Sequence, residues 1–331
     1  MARYLTSMSN LIDIDVNINS PKARCRKVEF EMSSIDVRPD FSVDSQLPRN
    51  TPVARPLAGA LGAELIGFDV SAIRDEAIAA TLRERCLEHK VLVLRDQSLD
   101  PKALLAFAKL WGDVHYYPYM TGLESVPEVF EIVTTPTAKR VFGNRWHSDQ
   151  MYDPKPVKVT VLYAKELPPV GGDTLFSNLE RAYESLSDGM KRMLSNLRIH
   201  CDGADKSRYG GKSREEWYAN SDMQKKLHPK EEEPVVAVHP LIRTHPETGC
   251  KCLYVGDQVQ RFDGMTRDES QPLLSYLMKH IQRPEFTCRV RWEPGTLVLW
   301  DNRCTSHYAI ADYAGHTRRM QRVTIAGDIP F

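Results

Sequence analysis

The sequence lacks several features that would assign a protein to a class at once. It has no apolar run of the roughly 18–20 residues that a membrane-spanning helix needs, and no short apolar segment follows a basic start as in a secretion signal. It has no excess charge of either sign, because 44 Lys and Arg residues balance 44 Asp and Glu residues. A balanced surface provides no broad attraction to nucleic acid or to an anionic membrane. We therefore expect a soluble protein that recognises charged ligands through local groups.

Cysteine is also sparse. The seven cysteines in 331 residues are an odd and dilute set, unlike the disulfide framework of a small secreted domain. A reducing, cytoplasmic location fits this usage. Cys250 and Cys252 have no second pair at zinc-like spacing, so we interpret them as core residues. The sequence does not decide between a monomer and a homo-oligomer.

The sequence pattern predicts one domain, residues 51–331, preceded by an appendage, residues 1–50. The appendage lacks the hydrophobic periodicity of a packed core apart from one alternating stretch. Inside the domain, the segment 200–235 is polar and charged, so we expect a long surface excursion that is either a lid or a disordered loop. The remaining pattern mixes helical and strand-like periods.

Local patterns predict individual elements. Ile78, Leu82 and Cys86 recur at four-residue spacing, which predicts an amphipathic helix. Thr266 and Glu269 can form a capping box at the start of another helix. The predicted helices cover residues 75–90, 101–111, 179–197 and 266–281. The predicted strands cover residues 91–94, 157–164, 174–176, 287–292, 296–300 and 319–326, and a hairpin turn is predicted at 245–249.

A short motif, Trp146-His147-Ser148-Asp149, is the first candidate for chemistry. On an extended strand, side chains two residues apart point to the same face, so His147 and Asp149 would converge. A second imidazole would complete the two-His, one-carboxylate set of non-haem iron(II) oxygenases, and His307 is the candidate. The pattern His-x-Asp alone arises often by chance, so the motif needs support from elsewhere in the chain.

Two arginines near the end of the sequence give that support. Arg318 and Arg322 are four residues apart in a strand-like segment and so share a face, whereas Arg319 alternates away from it. Their Cα atoms would lie about 13 Å apart at ~3.3 Å per residue. Two guanidinium groups at that separation suit two different anions better than one.

These motifs together resemble the taurine/2,4-dichlorophenoxyacetate (TauD/TfdA) family of Fe(II)- and 2-oxoglutarate-dependent dioxygenases, from about residue 56 to residue 331. Within the family, segments 286–292 and 312–315 look closest to bacterial dioxygenases of (R)-2-phenoxypropionate herbicides. The most specific matches are Trp-His-Ser-Asp at 146–149, Gly-Gly-Asp-Thr at 171–174, Trp-Asp-Asn-Arg at 300–303, His307, and the arginines eleven and fifteen residues beyond it.

The resemblance implies an iron site, a reaction and a fold. The equivalents of His147, Asp149 and His307 bind iron in the family, and no catalytic residue beyond this metal centre is implied. With 2-oxoglutarate and dioxygen as cosubstrates, the expected reaction hydroxylates an aliphatic C–H bond and releases succinate and CO2. The implied fold is mixed α/β and mainly β, with a double-stranded β-helix, or jelly roll, flanked by helices.

The resemblance also implies which residues bind the two organic acids. The family's equivalents of Thr174 and Arg318 hold the distal carboxylate of 2-oxoglutarate. The equivalent of Arg322 meets the acidic group of the primary substrate. The expected partner is therefore a small anionic organic molecule, with no role for nucleic acid or membrane.

Departures from the family guide the choice of substrate. By alignment of residues 112–120, Tyr117 and Met120 replace a His and a Tyr of taurine enzymes, and Gly143 stands where those enzymes carry an Asn. Loss of these polar groups disfavours taurine and favours a larger, more apolar body. We therefore expect Tyr117 and Met120 to contact an aryloxyalkanoate or a similar acid, with a sulfonate or alkyl sulfate as the alternative.

Two other classes remain open from the sequence alone. A zinc hydrolase could use the same three ligands, but it would need a nearby general base and would leave Thr174 and Arg318 unexplained. A binding or scaffold protein of the same family could have lost catalysis, although all three ligands and both arginines are present. Asp301 could either orient a ligand or form a structural turn, and Cys304 could be a small buried apolar residue.

Overall fold

The computed structural model describes most of the predicted domain. The predicted appendage and both Tyr117 and Met120 lie outside the described residues, so those predictions stay open. In the part of the chain that is described, no helix is both long and apolar enough to cross a membrane. The described residues are 53–73, 76–116, 121–217 and 236–331.

These residues form six α-helices and fifteen β-strands. The helices are α1 (Glu76–His89), α2 (Pro101–Lys109), α3 (Leu179–Glu184), α4 (Asp188–Leu194), α5 (Arg214–Trp217) and α6 (Arg267–Ile281). The strands are β1 (Val53–Pro56), β2 (Ala63–Ile66), β3 (Val91–Leu94), β4 (Phe130–Thr134), β5 (Val159–Glu166), β6 (Thr174–Asn178), β7 (Arg198–Asp202), β8 (Val236–Pro240), β9 (Ile242–Thr244), β10 (Lys251–Leu253), β11 (Val259–Phe262), β12 (Thr287–Val290), β13 (Leu297–Asp301), β14 (Thr305–Ala309) and β15 (Arg318–Ile325).

The largest sheet has seven strands in the order β1-β2-β3-β13-β5-β15-β4. All its pairings are antiparallel except that of β2 with β3. Its central strands are buried on both faces, which explains their continuous apolar sequences. Leu92 and Leu94 of β3 pack with α1 and α2 on one face, while Val91 and Val93 face the opposite side.

A second sheet, in the order β12-β6-β14, covers that opposite side. Phe176 of β6 packs against Trp300 of β13, with ring centroids 5.4 Å apart. The core therefore lies between two mainly antiparallel sheets, and His307 of β14 sits opposite Phe176 in the strand register. The mixed, mainly β class predicted from the sequence is confirmed.

A third group of elements packs beside the second sheet. It contains the sheet β11-β7-β8, the hairpin β9-β10 and the helices α3, α4 and α6, which share one apolar cluster. The hairpin forms around the predicted turn at 245–249, and the predicted capping box of Thr266 and Glu269 is present at the start of α6.

Two local predictions are wrong in detail. The helix predicted over 179–197 is two helices, because Ser185 is the C-cap of α3 and Ser187 caps α4 by accepting a hydrogen bond from the backbone N–H of Met190. Strand β14, which carries His307, was not predicted, since its sequence Thr-Ser-His-Tyr-Ala lacks a hydrophobic alternation. The strand predicted over 91–94 matches β3, and each of the remaining predicted strands corresponds to an observed one with shifted ends.

The predicted excursion at 200–235 starts too early. Ile199 and Cys201 are fully buried on one face of β7, so the polar His200 and Asp202 between and after them still belong to a sheet. Beyond β7, residues 206–209 form a 3-10 turn and residues 214–217 form α5. Residues 218–235 lie outside the described residues, so the lid prediction stays open.

Candidate active site

Two histidines far apart in sequence meet in one isolated β-bridge. The backbone N–H of His147 donates to the carbonyl of His307 at 3.0 Å, and the N–H of His307 donates back at 2.8 Å. His307 is fixed by its place in β14. The segment around His147 is extended only at this bridge and turns at residues 149–152, so the strand expected over the motif does not form.

The candidate metal triad consists of His147, Asp149 and His307. One ligand atom from each lies within 4.8 Å of the others. The Oδ1 of Asp149 is 3.7 Å from Nε2 of His147 and 3.8 Å from Nε2 of His307. These separations are too long for hydrogen bonds and suit three ligands around one small cation. The predicted convergence of the three side chains is therefore present.

The protonation of the triad also suits a cation. The Nδ1 of His147 lies 2.6 Å from the carbonyl of Arg145, which can only accept, so Nδ1 is the donor and Nε2 is the ring nitrogen that faces the other two ligands. Burial, reinforced by His147, lowers the pKa of His307 well below its usual range. Burial alone would raise the pKa of Asp149, but Arg322 and then the imidazoles hold it well below its usual range. The triad thus presents the Nε2 side of His147, an unprotonated His307 and a carboxylate.

Asp149 is held by groups that the sequence reasoning did not single out. Thr160 Oγ1 donates to Asp149 Oδ2 at 2.7 Å. Asn302 donates from Nδ2 to Thr160 at 2.9 Å and accepts from the backbone N–H of Asp149 at 3.1 Å. Asn302 lies within the Trp-Asp-Asn-Arg motif, but Thr160 lies inside an ordinary strand sequence that gives no local signal.

Of the two roles predicted for Asp301, orienting a ligand or forming a structural turn, its contacts fit the structural role. It accepts from His245 Nε2 at 3.0 Å and from Arg303 Nη2 at 2.6 Å. Its carboxylate is 1% exposed and makes no contact with the metal triad. With Cys304 it forms a second compact group, which we call the His245 cluster (His245, Asp301 and Cys304).

Arg318 is a buried cation without an anionic partner. Its residue is 6% exposed, its Nε has no hydrogen-bond partner, and it forms no ion pair with a described carboxylate. Its guanidinium carbon lies 5.6 Å from the Trp292 ring, and Trp292 Nε1 donates to Thr174 Oγ1 at 3.0 Å. Burial lowers the pKa of Arg318. Trp292 thus links Arg318 and Thr174, the two residues predicted to share one ligand.

Close packing keeps a small residue beside Arg318. Gly172 has φ +74°, and a Cβ placed on it would lie 3.2 Å from Cδ and Nε of Arg318. The carboxylate of Asp312 accepts from the N–H of Gly172 at 2.7 Å and fixes this turn. The Gly-Gly pair of the motif therefore allows the guanidinium to occupy its position.

Arg322 differs from Arg318 because it has a protein partner. Its Nη2 lies 2.7 Å from Asp149 Oδ2, while its Nε has no hydrogen-bond partner. This difference agrees with the expectation that the two arginines bind different anions. The anion beside Arg322, however, is Asp149, a residue of the triad itself. Arg319 is exposed, as predicted, and pairs loosely with Glu166 at 3.7 Å.

A cavity opens beside the triad and Arg322. Gly143 borders it with φ +81°, and a Cβ there would lie 3.6 Å from Cε1 of His147. A side chain at 143 would therefore reach the metal side of the cavity. Aromatic residues from separate parts of the chain form much of the remaining wall: Phe130, Phe142, Tyr152, Tyr209 and Trp217.

Two further arginines line this cavity. Arg208 lines it and pairs with Asp257 at 2.9 Å, and Arg145 lines it near Trp217. Arg140 lies over the Trp217 ring at 3.2 Å from the centroid. Tyr209 and Trp217 come from the described part of the predicted excursion, which places that segment at the site.

Comparison with known proteins agrees with this geometry. The family model described as taurine catabolism dioxygenase TauD, TfdA family matches residues 54–324. The chain belongs to this family. Several of its relatives are named as alpha-ketoglutarate-dependent dioxygenases, and the family uses Fe(II), 2-oxoglutarate and dioxygen. The predicted enzyme class and cofactors are therefore confirmed.

Individual relatives differ in what they act on. The alkylsulfatase of Acinetobacter baylyi is 32% identical over 286 residues, covering 86% of this chain and 88% of the relative. The (S)-phenoxypropionate/alpha-ketoglutarate-dioxygenase of Sphingobium herbicidovorans is 31% identical over 279 residues, covering 82% of this chain and 94% of the relative. The structure of AAD-2 in complex with Mn(II) and N-oxalylglycine aligns with a TM-score of 0.73 at 26% identity, covering 85% of this chain and 99% of that one.

Proposed function

We propose that this dioxygenase hydroxylates an aliphatic C–H bond of a small anionic organic acid, with an aryloxyalkanoate as the first candidate. The observation that carries the proposal is the convergence of three ligand atoms in the triad, together with Arg318, a buried cation that has no anionic partner among the described residues. A zinc hydrolase would not need such a cation, and a protein without catalysis would have no reason to keep it unpaired.

The metal triad would hold Fe(II). When bound, Fe(II) supplies the redox chemistry that couples decarboxylation of 2-oxoglutarate to oxidation of the substrate. The chain's own contribution is placement. The carbonyl of Arg145 orients His147, and the paired strands β6 and β14 orient His307. The proton on Nδ1 of His147 stays on that atom, so Nε2 remains available to the metal.

Thr174 and Arg318 would bind the distal carboxylate of 2-oxoglutarate. Arg318 offers a planar, permanently charged fork that matches a carboxylate. Its burial makes an anion especially favourable there, because an unpaired charge is costly away from water. The hydroxyl of Thr174 already accepts from Trp292, so its own proton is free to point towards a further acceptor.

Arg322 would face the acidic group of the primary substrate. One of its nitrogens holds Asp149, whereas its Nε lacks an acceptor among the described residues. The aromatic walls of the cavity suit an aryl group or a long alkyl chain. Gly143 leaves room next to His147 for such a body.

Hydroxylation at a carbon that bears oxygen would lead to cleavage. An aryloxyalkanoate hydroxylated next to its ether oxygen gives a hemiketal or hemiacetal, which collapses to a phenol and a carbonyl compound. An alkyl sulfate hydroxylated at the ester carbon similarly gives an aldehyde and sulfate. The second candidate substrate is an alkyl sulfate, favoured by the 32% identity to the alkylsulfatase.

We also infer that the two packed sheets form a double-stranded β-helix. The support is the antiparallel pairing of β13, β5, β15 and β4 in one sheet and of β12, β6 and β14 in the other. A jelly roll builds its two walls from sheets of this kind.

Succinate release tests the proposal. The protein is assayed with Fe(II), ascorbate, dioxygen and 2-oxoglutarate against aryloxyalkanoates, alkyl sulfates, sulfonates and uncharged analogues. We expect anionic substrates to stimulate succinate release. This stimulation should be lost in Arg322→Ala and kept in the control Arg319→Ala, which changes an exposed arginine of the same strand. Release of phenol or of sulfate identifies the substrate class. Equal coupling to an uncharged analogue, unaffected by Arg322→Ala, would contradict the proposal.

A further inference from the structure

The carboxylate of Asp149 is held on one side by a fully buried hydrogen-bond network. Thr160 donates to Oδ2, and Asn302 Nδ2 donates to the hydroxyl of Thr160. The same amide accepts the backbone N–H of Asp149 through Oδ1. Asn302 therefore fixes the backbone of Asp149 directly and its carboxylate through Thr160.

The direction of each hydrogen bond is determined. The indole N–H of Trp300 also donates to Asn302 Oδ1, at 3.0 Å, so this atom receives two donors and must be the oxygen. The other amide atom is then the nitrogen, which uses the lone pair of Thr160 as its acceptor. The hydroxyl proton of Thr160 is left for Asp149. Thr160, Trp300 and Asn302 are each at most 2% exposed, so water does not compete.

The two oxygens of Asp149 consequently have different surroundings. Oδ2 has donors at 2.7 Å from both Thr160 and Arg322. Oδ1 faces the two imidazole nitrogens at 3.7 and 3.8 Å. We propose that Thr160, positioned by Asn302, restricts Asp149 to binding the metal through Oδ1 alone.

This restriction matters for the cosubstrates. If Oδ2 also bound the metal, Asp149 would occupy a position that the 2-oxo acid and dioxygen need, because those ligands require the open half of the coordination shell. Hydrogen bonds to Oδ2 oppose that rotation. Thr160 and Asn302 are thus positioning residues for the triad, an inference that rests on the proposed binding of Fe(II) there.

The test uses Thr160→Val, which removes the donor but keeps the shape, and Thr160→Ser, which keeps the donor. Each protein is loaded anaerobically with Fe(II), and 2-oxoglutarate is titrated while the visible charge-transfer band of the complex is followed. We expect Thr160→Val to weaken 2-oxoglutarate binding about 10–100-fold, as changes behind a metal ligand do. Thr160→Ser should stay close to the wild type, and thermal unfolding checks that both variants fold.

The outcomes separate this inference from the proposed function. A folded Thr160→Val that binds 2-oxoglutarate as the wild type does, or a Thr160→Ser that is equally impaired, would overturn the role of the hydroxyl. If Thr160→Val does not fold, an anaerobic crystal structure of the wild type with Fe(II) and 2-oxoglutarate decides. Both oxygens of Asp149 bound to iron would overturn the inference, and one would support it. A wild type that neither binds Fe(II) nor shows the band would instead refute the proposed function.

Discussion

The metal triad and the His245 cluster have similar composition and burial, but their hydrogen bonding is opposite. In the His245 cluster, Nδ1 of His245 accepts the backbone N–H groups of Glu247 and Thr248, and Nε2 donates to Asp301. Arg303 binds both oxygens of Asp301. In the metal triad, two imidazole nitrogens and one carboxylate oxygen face each other without a donor between them.

This difference shows that residue type and proximity do not make a metal site. Both groups bring three potential ligand atoms within 4.8 Å. In the His245 cluster, hydrogen bonds already use the histidine and carboxylate lone pairs, whereas the triad leaves Nε2 of both histidines and Oδ1 of Asp149 without a donor. Burial alone would raise the pKa of Asp301, but Arg303 and His245 hold it well below its usual range. The cluster is therefore a self-contained ion pair network, and only the triad needs an added cation.

The largest effect is expected when one ligand of the metal triad is removed. His147→Ala or His307→Ala removes one of three ligands and should abolish both Fe(II) binding and succinate release. His245→Ala should keep Fe(II) binding, because its imidazole has no free lone pair in the wild type. Anaerobic equilibrium dialysis with Fe(II) measures both results. If Fe(II) binding were retained after either triad substitution, or lost in a folded His245→Ala, the conclusion that only the triad binds metal would be wrong.

A stability experiment tests whether the hydrogen-bonded His245 cluster supports the fold. Arg303→Met should leave Asp301 buried without its main counterion and cost about 3–5 kcal/mol of unfolding free energy. Arg319→Met is the matched control, because its exposed pair with Glu166 is worth about 0–1 kcal/mol. Urea unfolding measures both variants, and Fe(II) affinity should change in neither while the protein is folded. A mild loss for Arg303→Met would mean that the cluster does not support the fold.

Arg318 should affect the cosubstrate and not the metal. Arg318→Ala removes a charge-assisted contact of about 1.5–3 kcal/mol, so 2-oxoglutarate affinity should fall roughly 10–150-fold. Fe(II) affinity should be unchanged, because Arg318 does not contact the triad. The affinity for 2-oxoglutarate is measured by following the charge-transfer band during a titration, and the affinity for Fe(II) is measured by dialysis. If Arg322→Ala reduced only 2-oxoglutarate affinity in the same way, the assignment of the two arginines would be wrong.

The smallest expected effect concerns Cys304. Burial, and then the charge of Asp301, raises the pKa of the Cys304 thiol well above its usual range, so the thiolate that metals bind is disfavoured. Cys304→Ala should therefore leave the number of bound Co(II) ions per chain unchanged. We expect one ion in both proteins and no thiolate-to-cobalt absorption in either. A second ion that disappears in Cys304→Ala would show that the cluster binds metal after all.

Much of this arrangement could be predicted from the sequence because its signals are local. The helix stripe ending in Cys86 and the capping box at Thr266 depend on neighbouring residues, and both are present. Strand β14 and the division between α3 and α4 were missed, because the first is polar and the second depends on two serines that favour caps within a helical pattern.

Motif spacing together with the family resemblance predicted the three triad residues and the two arginines, because motifs identify residue types without any knowledge of contacts. How these groups are used depends on contacts that the folded chain creates between distant residues. Thr160 and Asn302 are 142 positions apart and meet because β5 pairs with β13. Likewise, Asp149 and Asp301 are both buried aspartates beside a histidine and an arginine. One keeps a free oxygen and the other does not, because long-range packing decides which hydrogen-bond donors reach each carboxylate.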